Sequence, residues 1–308
     1  MNTLGFTGKK EVISIVSDIT EMDQRQWNTY IRLVLAYENE ELTEEKLRLE
    51  LLSSLIDLKF TWKWVFFSKK RKEFCMSQLS QLTTLVNFIF EEKEKDGVKT
   101  RAFIIQSIKN FNPVIYGRYY GPKDGLQDCN FAEYRIAYGH LVNYFQTKND
   151  DDLNRLVAVL YRRRKPLWFL LRFFPRWDGN VREEFTAEFN PLQFEGRVKR
   201  IARIPFHIRY AIMLYFAACE DYLKEGTIFI EGKEISLSII YQKSGDDEKS
   251  KSADKADIGL VGILYSLAES KVFGSLAETD KQNLWDILLR LYQLVKRNKE
   301  RYDSGKTV

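Results

Sequence analysis

Two stretches of the sequence combine basic and aromatic residues in a pattern typical of nucleic-acid binding. Residues 59–72 hold six Lys and Arg and no acid, and residues 153–177 hold seven and no acid. Arginine offers forked donors to phosphate, and aromatic rings stack on unpaired bases. Alternatively, the rings belong to the core and the bases only surround them. The candidate basic patch for a partner comprises Lys69, Lys70, Arg71, Lys72, Arg162, Arg163, Arg164, Lys165, Arg172 and Arg176.

Other residues that could take part in a reaction form no recognisable catalytic set. Cys129 and His140 could pair as nucleophile and base, but one helix between them would separate them by roughly 15 Å. Residues 150–152, all Asp, lack the ligand spacing of a calcium loop and suit a helix N-terminus instead. The glycines of residues 117–125 fit a turn. They match neither of the phosphate-binding motifs GxxxxGK(S/T) and GxGxxG. We therefore predict no catalytic residue, no cofactor and no metal, and favour a non-enzymatic protein.

The positive charge of the chain is concentrated in one region. Residues 151–210 hold 13 bases and 7 acids, an excess larger than the net charge of +5 on all 308 residues. An acidic partner is expected to meet the protein there. The pI of about 8.8 is nevertheless lower than that of a dedicated nucleic-acid-binding domain. Protein binding is therefore the first hypothesis and nucleic-acid binding through residues 59–72 and 153–177 the alternative, with the oligomeric state left open.

Composition limits the class of protein and its compartment. With 44% hydrophobic and 14% aromatic residues, the chain is too apolar to remain disordered. Three cysteines are too few for a disulfide framework and favour a reducing compartment. The longest apolar run, residues 210–219, is shorter than a membrane-spanning helix, and residues 1–10 lack the apolar core of a secretory signal. We expect a cytoplasmic protein without a transmembrane segment.

The hydrophobic pattern predicts a mainly α fold, a multi-helix bundle with one small β-hairpin. Apolar residues recur at spacings of three and four in most segments, and Asn130 with Glu133 forms a capping box. Thr279 with Gln282 predicts a second capping box, and Gly226 a left-handed helix end. The helices are expected over residues 23–37, 43–58, 77–91, 130–145, 150–165, 206–224, 258–269 and 279–301.

The remaining segments set the predicted domain organisation. Residues 91–97 are expected to be a solvated helix end and loop, and prolines predict irregular structure with short helical turns over residues 166–205. Alternating apolar residues predict the hairpin over residues 227–243, followed by a flexible polar loop over 244–257. We expect a helical domain over residues 1–165 and a second helical region, with the hairpin, the loop and the C-terminal helices, over 166–308.

One ordered series of motifs resembles a known group of proteins. The motifs are residues 22–37 (MDQRQWNTYIRLVLAY), 44–58 (EEKLRLELLSSLIDL), 120–126 (YGPKDGL), 130–134 (NFAEY), 144–147 (YFQT) and 152–162 (DLNRLVAVLYR). This series, within residues 18–164, resembles uncharacterised helical proteins encoded by prophages and related mobile elements. The resemblance implies an accessory role in virion or tail assembly, of a chaperone-like kind, and it transfers no active-site residue.

Overall fold

A computed structural model describes most of the chain, and the chain divides into two compact units. The described residues are 2–5, 12–57, 68–95, 98–171, 173–174, 180–185, 191–230, 233–241, 260–270 and 272–305. Unit 1 comprises Met1–Gln106 with Phe206–Ala211, and unit 2 comprises Ser107–Pro205 with Ile212–Val308. The predicted loop over residues 244–257 lies outside the described residues.

The protein is mainly α-helical, as the hydrophobic pattern predicts. The helices are α1 Gln24–Glu38, α2 Glu44–Leu55, α3 Lys69–Leu82, α4 Phe131–Thr147, α5 Asp150–Leu160, α6 Trp168–Leu171, α7 Pro191–Ile201, α8 Phe206–Glu225, α9 Ser238–Tyr241, α10 Leu260–Glu269, α11 Leu276–Asp280 and α12 Leu284–Gly305. The strands form four antiparallel pairs within the described part of the chain: β1 Asn2–Gly5 with β2 Val12–Ile15, β3 Phe90–Lys95 with β4 Val98–Phe103, β5 Val114–Ile115 with β6 Tyr119–Tyr120, and β7 Thr227–Ile230 with β8 Lys233–Ser236.

In unit 1, the first two helices form as their apolar stripes predict, and each begins at a side-chain cap. Asp23 and Gln26 form a reciprocal capping box at the start of α1, and Thr43 accepts a backbone hydrogen bond at the start of α2. The buried residues of α1 include Trp27 and Tyr30, and those of α2 are leucines. The Tyr30 hydroxyl donates to the Ile104 carbonyl at 3.1 Å, which ties α1 to the chain after β4.

The predicted helix over residues 77–91 is wrong at both ends. Helix α3 begins at Lys69 and ends at Leu82, a 3-10 helix covers Thr83–Ile89, and β3 follows directly. The predicted helix end and loop over residues 91–97 is thus largely a hairpin strand. The register places Glu92 opposite Arg101, and the Arg101 guanidinium lies 3.9 Å from the centre of the Phe90 ring. These cross-strand contacts favour the ladder over a helix.

In unit 2, α4 and α5 form a helical pair whose second member is shorter than predicted. Asn130 accepts from the Glu133 amide and caps α4, and Asn149 caps α5. Helix α5 ends at Leu160, whereas the sequence predicts an end in residues 162–165. Arg162 instead exchanges backbone hydrogen bonds with Tyr120, donating at 3.2 Å and accepting at 2.7 Å, which requires an extended chain.

The second half of unit 2 contains further differences from the predicted elements. Residues 166–205, predicted as irregular with short helical turns, include the four-residue α6 and the longer, eleven-residue helix α7. Gly226 ends α8 as predicted but with φ of −73°, so it is not a left-handed cap. The capping box of the C-terminal part is formed by Ser275 and Glu278 at α11, and Thr279 lies inside that helix. The predicted hairpin is present as β7 and β8.

The division into units differs from the predicted boundary between residues 165 and 166. The segments on either side of that boundary are bonded to each other: the Lys165 amide donates to the Val181 carbonyl at 2.8 Å, and the Glu183 amide donates to the Arg163 carbonyl at 2.8 Å. Helix α7 also packs against α5. Residues before and after 165 therefore belong to the same compact unit.

Candidate partner-binding surface

The second basic run, residues 162–165, is an extended segment bridged on both sides. Its Arg162 pairs with Tyr120 on one side, and its Arg164 pairs with Arg182 on the other. In an extended chain, successive side chains point to opposite faces, and directly paired residues share a face. Arg162, Arg164 and Arg182 therefore lie on one face of this segment, and Arg163 lies on the other.

Arg162 is inside the protein, so it does not belong to a surface patch. Its guanidinium forms an ion pair with the Glu133 carboxylate, and both side chains are 1% exposed. Arg182, equally buried, places Nη1 at 3.1 Å from Glu133 Oε2, close enough for an ion pair although the angle is not that of a hydrogen bond. The sequence predicts that Glu133 reaches back to its helix cap. Its carboxylate instead lies between two buried guanidinium groups, which we call the buried ion cluster.

Backbone carbonyls complete the surroundings of the buried ion cluster. Arg182 donates to the carbonyls of Leu160 at 3.1 Å and Asp128 at 2.7 Å. Burial lowers the pKa of Arg162, and the charge of Glu133 opposes this effect. Burial acts in the same direction on Arg182, but the charges of Glu133 and Asp128 raise its pKa above the ordinary value. The cluster joins α4 to the two extended segments that carry its arginines, which is a structural role.

Arg164 is exposed and held between two aromatic rings. Its guanidinium carbon lies 4.1 Å from the centre of the Tyr120 ring and 4.3 Å from that of the Trp168 ring. A planar guanidinium stacks on such rings and keeps its edge N–H groups free for an acceptor. Arg164 is thus a fixed cation at the surface, next to the exposed Arg163.

The residues after Lys165 present apolar side chains to solvent. Between 44% and 70% of the surface of each of five large apolar residues is exposed. We call them the exposed apolar segment: Leu167, Phe169, Leu170, Phe173 and Phe174. The alternative that these rings belong to the core is therefore wrong for the phenylalanines of this segment. Arg172 and Arg176, the other predicted bases here, lie outside the described residues.

Local hydrogen bonds hold the exposed apolar segment in a series of tight turns. Backbone amides of Leu170, Phe173 and Phe174 each donate to a carbonyl three residues earlier, at 2.8 to 3.1 Å. Leu167 has φ of +55°, a left-handed conformation that costs an L residue energy. Such strain persists only where neighbouring structure imposes it, and it is found often at binding sites.

The first basic run, residues 69–72, lies in unit 1 and forms the first turn of α3. Lys69 and Lys70 are exposed, and Lys69 Nζ lies 4.0 Å from Glu73 Oε1. Lys72 is half-buried, and the side chain of Arg71 lies outside the described residues. The aromatic residues of the range 59–67 also lie outside them, so the basic and aromatic pattern remains a prediction at this site.

The other residues that the sequence singled out lie in surroundings that give them a role in the fold. Cys129 is buried, and burial with the nearby Glu133 raises its pKa, which keeps the sulfur as an unreactive thiol. His140 lies 3.1 Å from the Asp152 carboxylate. Gly125 has φ of +60°, which a glycine adopts without strain, and a Cβ on Gly121 would meet the Tyr161 ring at 2.4 Å. Within the described ranges no group of three or more His, Cys, Asp and Glu is placed to hold a metal ion.

Comparisons with known proteins found no similar protein, so any functional assignment depends on the contacts described above. The chain matches no protein-family model, no curated protein and no solved structure. In the part of the chain that the structure describes, no helix combines the length and the apolar character needed to cross a membrane.

Sequence reasoning missed the partners that organise this surface. Arg182 and Tyr120 lie far from residues 162–165 in the sequence, and no local pattern links them. The local pattern around Glu133 indicates a helix-capping residue and nothing more. The one available signal was the overlap of a strongly basic run with a dense aromatic run between residues 153 and 177.

Proposed function

We propose that this chain is a protein-binding protein and that the exposed apolar segment is its main contact surface. The observation that carries the proposal is the exposure of five large apolar side chains within residues 167–174. Contiguous exposed apolar surface marks interaction sites, and aromatic residues and arginine are enriched where interface energy is concentrated. Arg164 and Lys165 border this segment, so we infer a partner with an apolar groove bordered by acids.

The local hydrogen bonds of the segment support this role. Because the amides of Leu170, Phe173 and Phe174 are already bonded and Arg164 already stacks on two rings, less conformational entropy is lost on binding. A surface ordered in this way before association gains affinity without additional contacts. The resemblance to helical proteins of prophages and mobile elements supports an assembly or accessory setting, in which a chain of this kind would hold another particle protein.

Replacing Phe173 and Phe174 together by Ser tests the proposal. The matched control is Phe74→Ser, since Phe74 is 65% exposed and lies in the other unit. Quantitative co-purification from the native host should recover a partner with the wild type and the control, and about tenfold less with the double variant. Equal recovery by all three proteins would contradict the proposal. A double variant that still recovers the protein partner but no longer binds lipid vesicles would also contradict it, because the segment would then contact a membrane.

The alternative function is binding of single-stranded nucleic acid at the same surface. The observation that favours it is the combination of exposed phenylalanine rings with the stacked Arg164 that borders them. Affinity should then fall steeply between about 50 and 200 mM salt, because each neutralised phosphate releases counterions. Arg164→Ala with Lys165→Ala should reduce the salt slope by about 1 for each phosphate that is no longer neutralised, while Lys199→Ala should not. A gel shift insensitive to salt would exclude this alternative.

A further inference from the structure

A small pocket lies on the face of the extended segment opposite the buried ion cluster. Its volume is about 80 Å³, and it is lined by Tyr119, Arg163, Glu183, Gln193, Arg197 and Arg200. A pocket of this size accommodates a few water molecules or one compact ion, and it is far smaller than the sites of drug-sized ligands, which begin at about 300 Å³. All six residues belong to unit 2.

Three of these residues lie on one face of extended segments, and the other three lie on one face of a helix. Tyr119, Arg163 and Glu183 each adjoin a member of the bridged pairs, so strand alternation directs them to one face. Gln193, Arg197 and Arg200 are spaced by four and three along α7, which places them on one face of that helix. The Glu183 amide donates to the Arg163 carbonyl at 2.8 Å, which fixes the two charged residues side by side.

The charge of the pocket is unbalanced. Three guanidinium groups line it together with one carboxylate, that of Glu183. Arg197 is buried, and burial together with the charge of Arg162 lowers its pKa, while Glu183 partly compensates. A buried cation that lacks full compensation is stabilised by an additional anion.

Donor groups remain available in the pocket. Arg197 donates from Nη1 to the Ala158 carbonyl at 3.1 Å, and Arg200 donates from Nε to the Gly196 carbonyl at 2.8 Å. These bonds fix both side chains and leave the other nitrogens of each guanidinium without an acceptor among the described residues. Arg163 makes no side-chain hydrogen bond with that part of the chain. Tyr119 and Gln193 complete the lining of the pocket.

We propose that this pocket binds a phosphate group, either as inorganic phosphate or as the head of a small phosphomonoester. Arginine forks match the oxygens of a tetrahedral dianion and form charge-assisted hydrogen bonds with it. Arg163 and Arg200 are exposed, so the pocket opens to solvent on their side and an ester group can extend outward. The proposal is independent of the exposed apolar segment, which lies on residues 167–174.

Isothermal titration with inorganic phosphate at constant ionic strength tests the proposal. We expect saturable binding of one phosphate per chain. Arg200→Gln and Arg163→Gln should each weaken it about tenfold or more, because each removes a charged hydrogen-bond donor. Glu183→Gln should tighten binding, because it removes the opposing carboxylate. Lys199→Gln is the matched control: it removes one exposed charge from α7 without lining the pocket, and should change affinity less than twofold.

Glycerol 2-phosphate distinguishes the two sources of the phosphate group. Binding of both ligands would identify a site for a phosphate carried on a larger molecule, and binding of inorganic phosphate alone would identify a site for the free ion. Absence of saturable binding of either would overturn the proposal. Equal weakening by Lys199→Gln and Arg200→Gln would overturn it too, because it would reveal only a general effect of charge. Thermal unfolding of every variant checks that the fold is retained.

Discussion

The two basic runs of the chain, residues 69–72 and 162–165, each carry four positive charges and have very different surroundings. The first run begins α3. Its Lys69 and Lys70 extend into solvent, and Glu73 lies 4.0 Å from Lys69. In the second, Arg162 is buried, Arg163 lines the small pocket, and Arg164 stacks between two rings.

Secondary structure and residue type explain this difference. A helix end arranges consecutive side chains around one turn, where solvent reaches them. An extended chain alternates its side chains between two faces, so neighbouring residues enter different environments. The second run is also rich in arginine, whose planar fork pairs with carboxylates and stacks on rings, while lysine remains a hydrated point charge. Charge counted along a sequence therefore does not locate a binding surface by itself.

The largest difference in stability between the two runs is expected when Glu133, the buried partner of Arg162, is replaced by Ala. This change leaves two buried guanidinium groups without their carboxylate, and breaking a buried ion pair costs about 3–5 kcal/mol. Urea unfolding should show that decrease in the free energy of unfolding. Lys70→Ala, in the other run, should remain within about 0.5 kcal/mol of the wild type. A decrease below about 1 kcal/mol for Glu133→Ala would show that the cluster is not buried as described.

A second contrast concerns two adjacent residues. Arg162→Ala should cost about 3 kcal/mol, because it opens a cavity and removes one partner of Glu133. Arg163→Ala should cost less than about 0.5 kcal/mol, because this side chain is exposed and bonds to no described residue. Circular dichroism melts of both variants under the same conditions give the comparison. Similar decreases for the two variants would contradict the alternation of faces across residues 162–165.

The sequence predicted the beginning of α4 better than the end of α5. Asn130 accepts from the Glu133 amide only three residues on, so this cap is local and visible in the sequence. The end of α5 was missed because residues 153–161 continue an apolar helical pattern and the following bases suit a helix C-terminus. The backbone bonds of Arg162 with Tyr120, a residue far earlier in the chain, decide where α5 ends.

The candidate surface was predictable in part. The excess of bases and rings within residues 153–177 indicated the region of the exposed apolar segment. Which side chains face solvent was not predictable, because it depends on contacts with Tyr120, Glu133 and Arg182 from distant segments. The same contacts take Arg162 out of the predicted patch, while Arg163 and Arg164 stay accessible.

Arg164 provides an intermediate case between a buried and a solvated base. Arg164→Ala removes its stacking on two rings, each worth about 0.5–1 kcal/mol at an exposed site, so we expect a decrease in stability of about 1–2 kcal/mol. Arg164→Lys should recover only part of it, since a lysine does not stack as a planar group. Denaturant unfolding measures both variants. Full recovery by lysine would indicate that charge alone, and not stacking, stabilises this site.

The smallest expected effect has the opposite sign and comes from the first basic run. Lys70 lies in the first turn of α3, where the helix dipole favours negative charge. Lys70→Glu should therefore stabilise unit 1 by about 0.3–1 kcal/mol at low ionic strength, and the gain should shrink in high salt. Thermal melts at two salt concentrations check this, with Lys148→Glu, at the C-terminal end of α4, as a control expected to destabilise. A destabilising Lys70→Glu would mean that the first run, like the second, carries contacts that a charge reversal breaks.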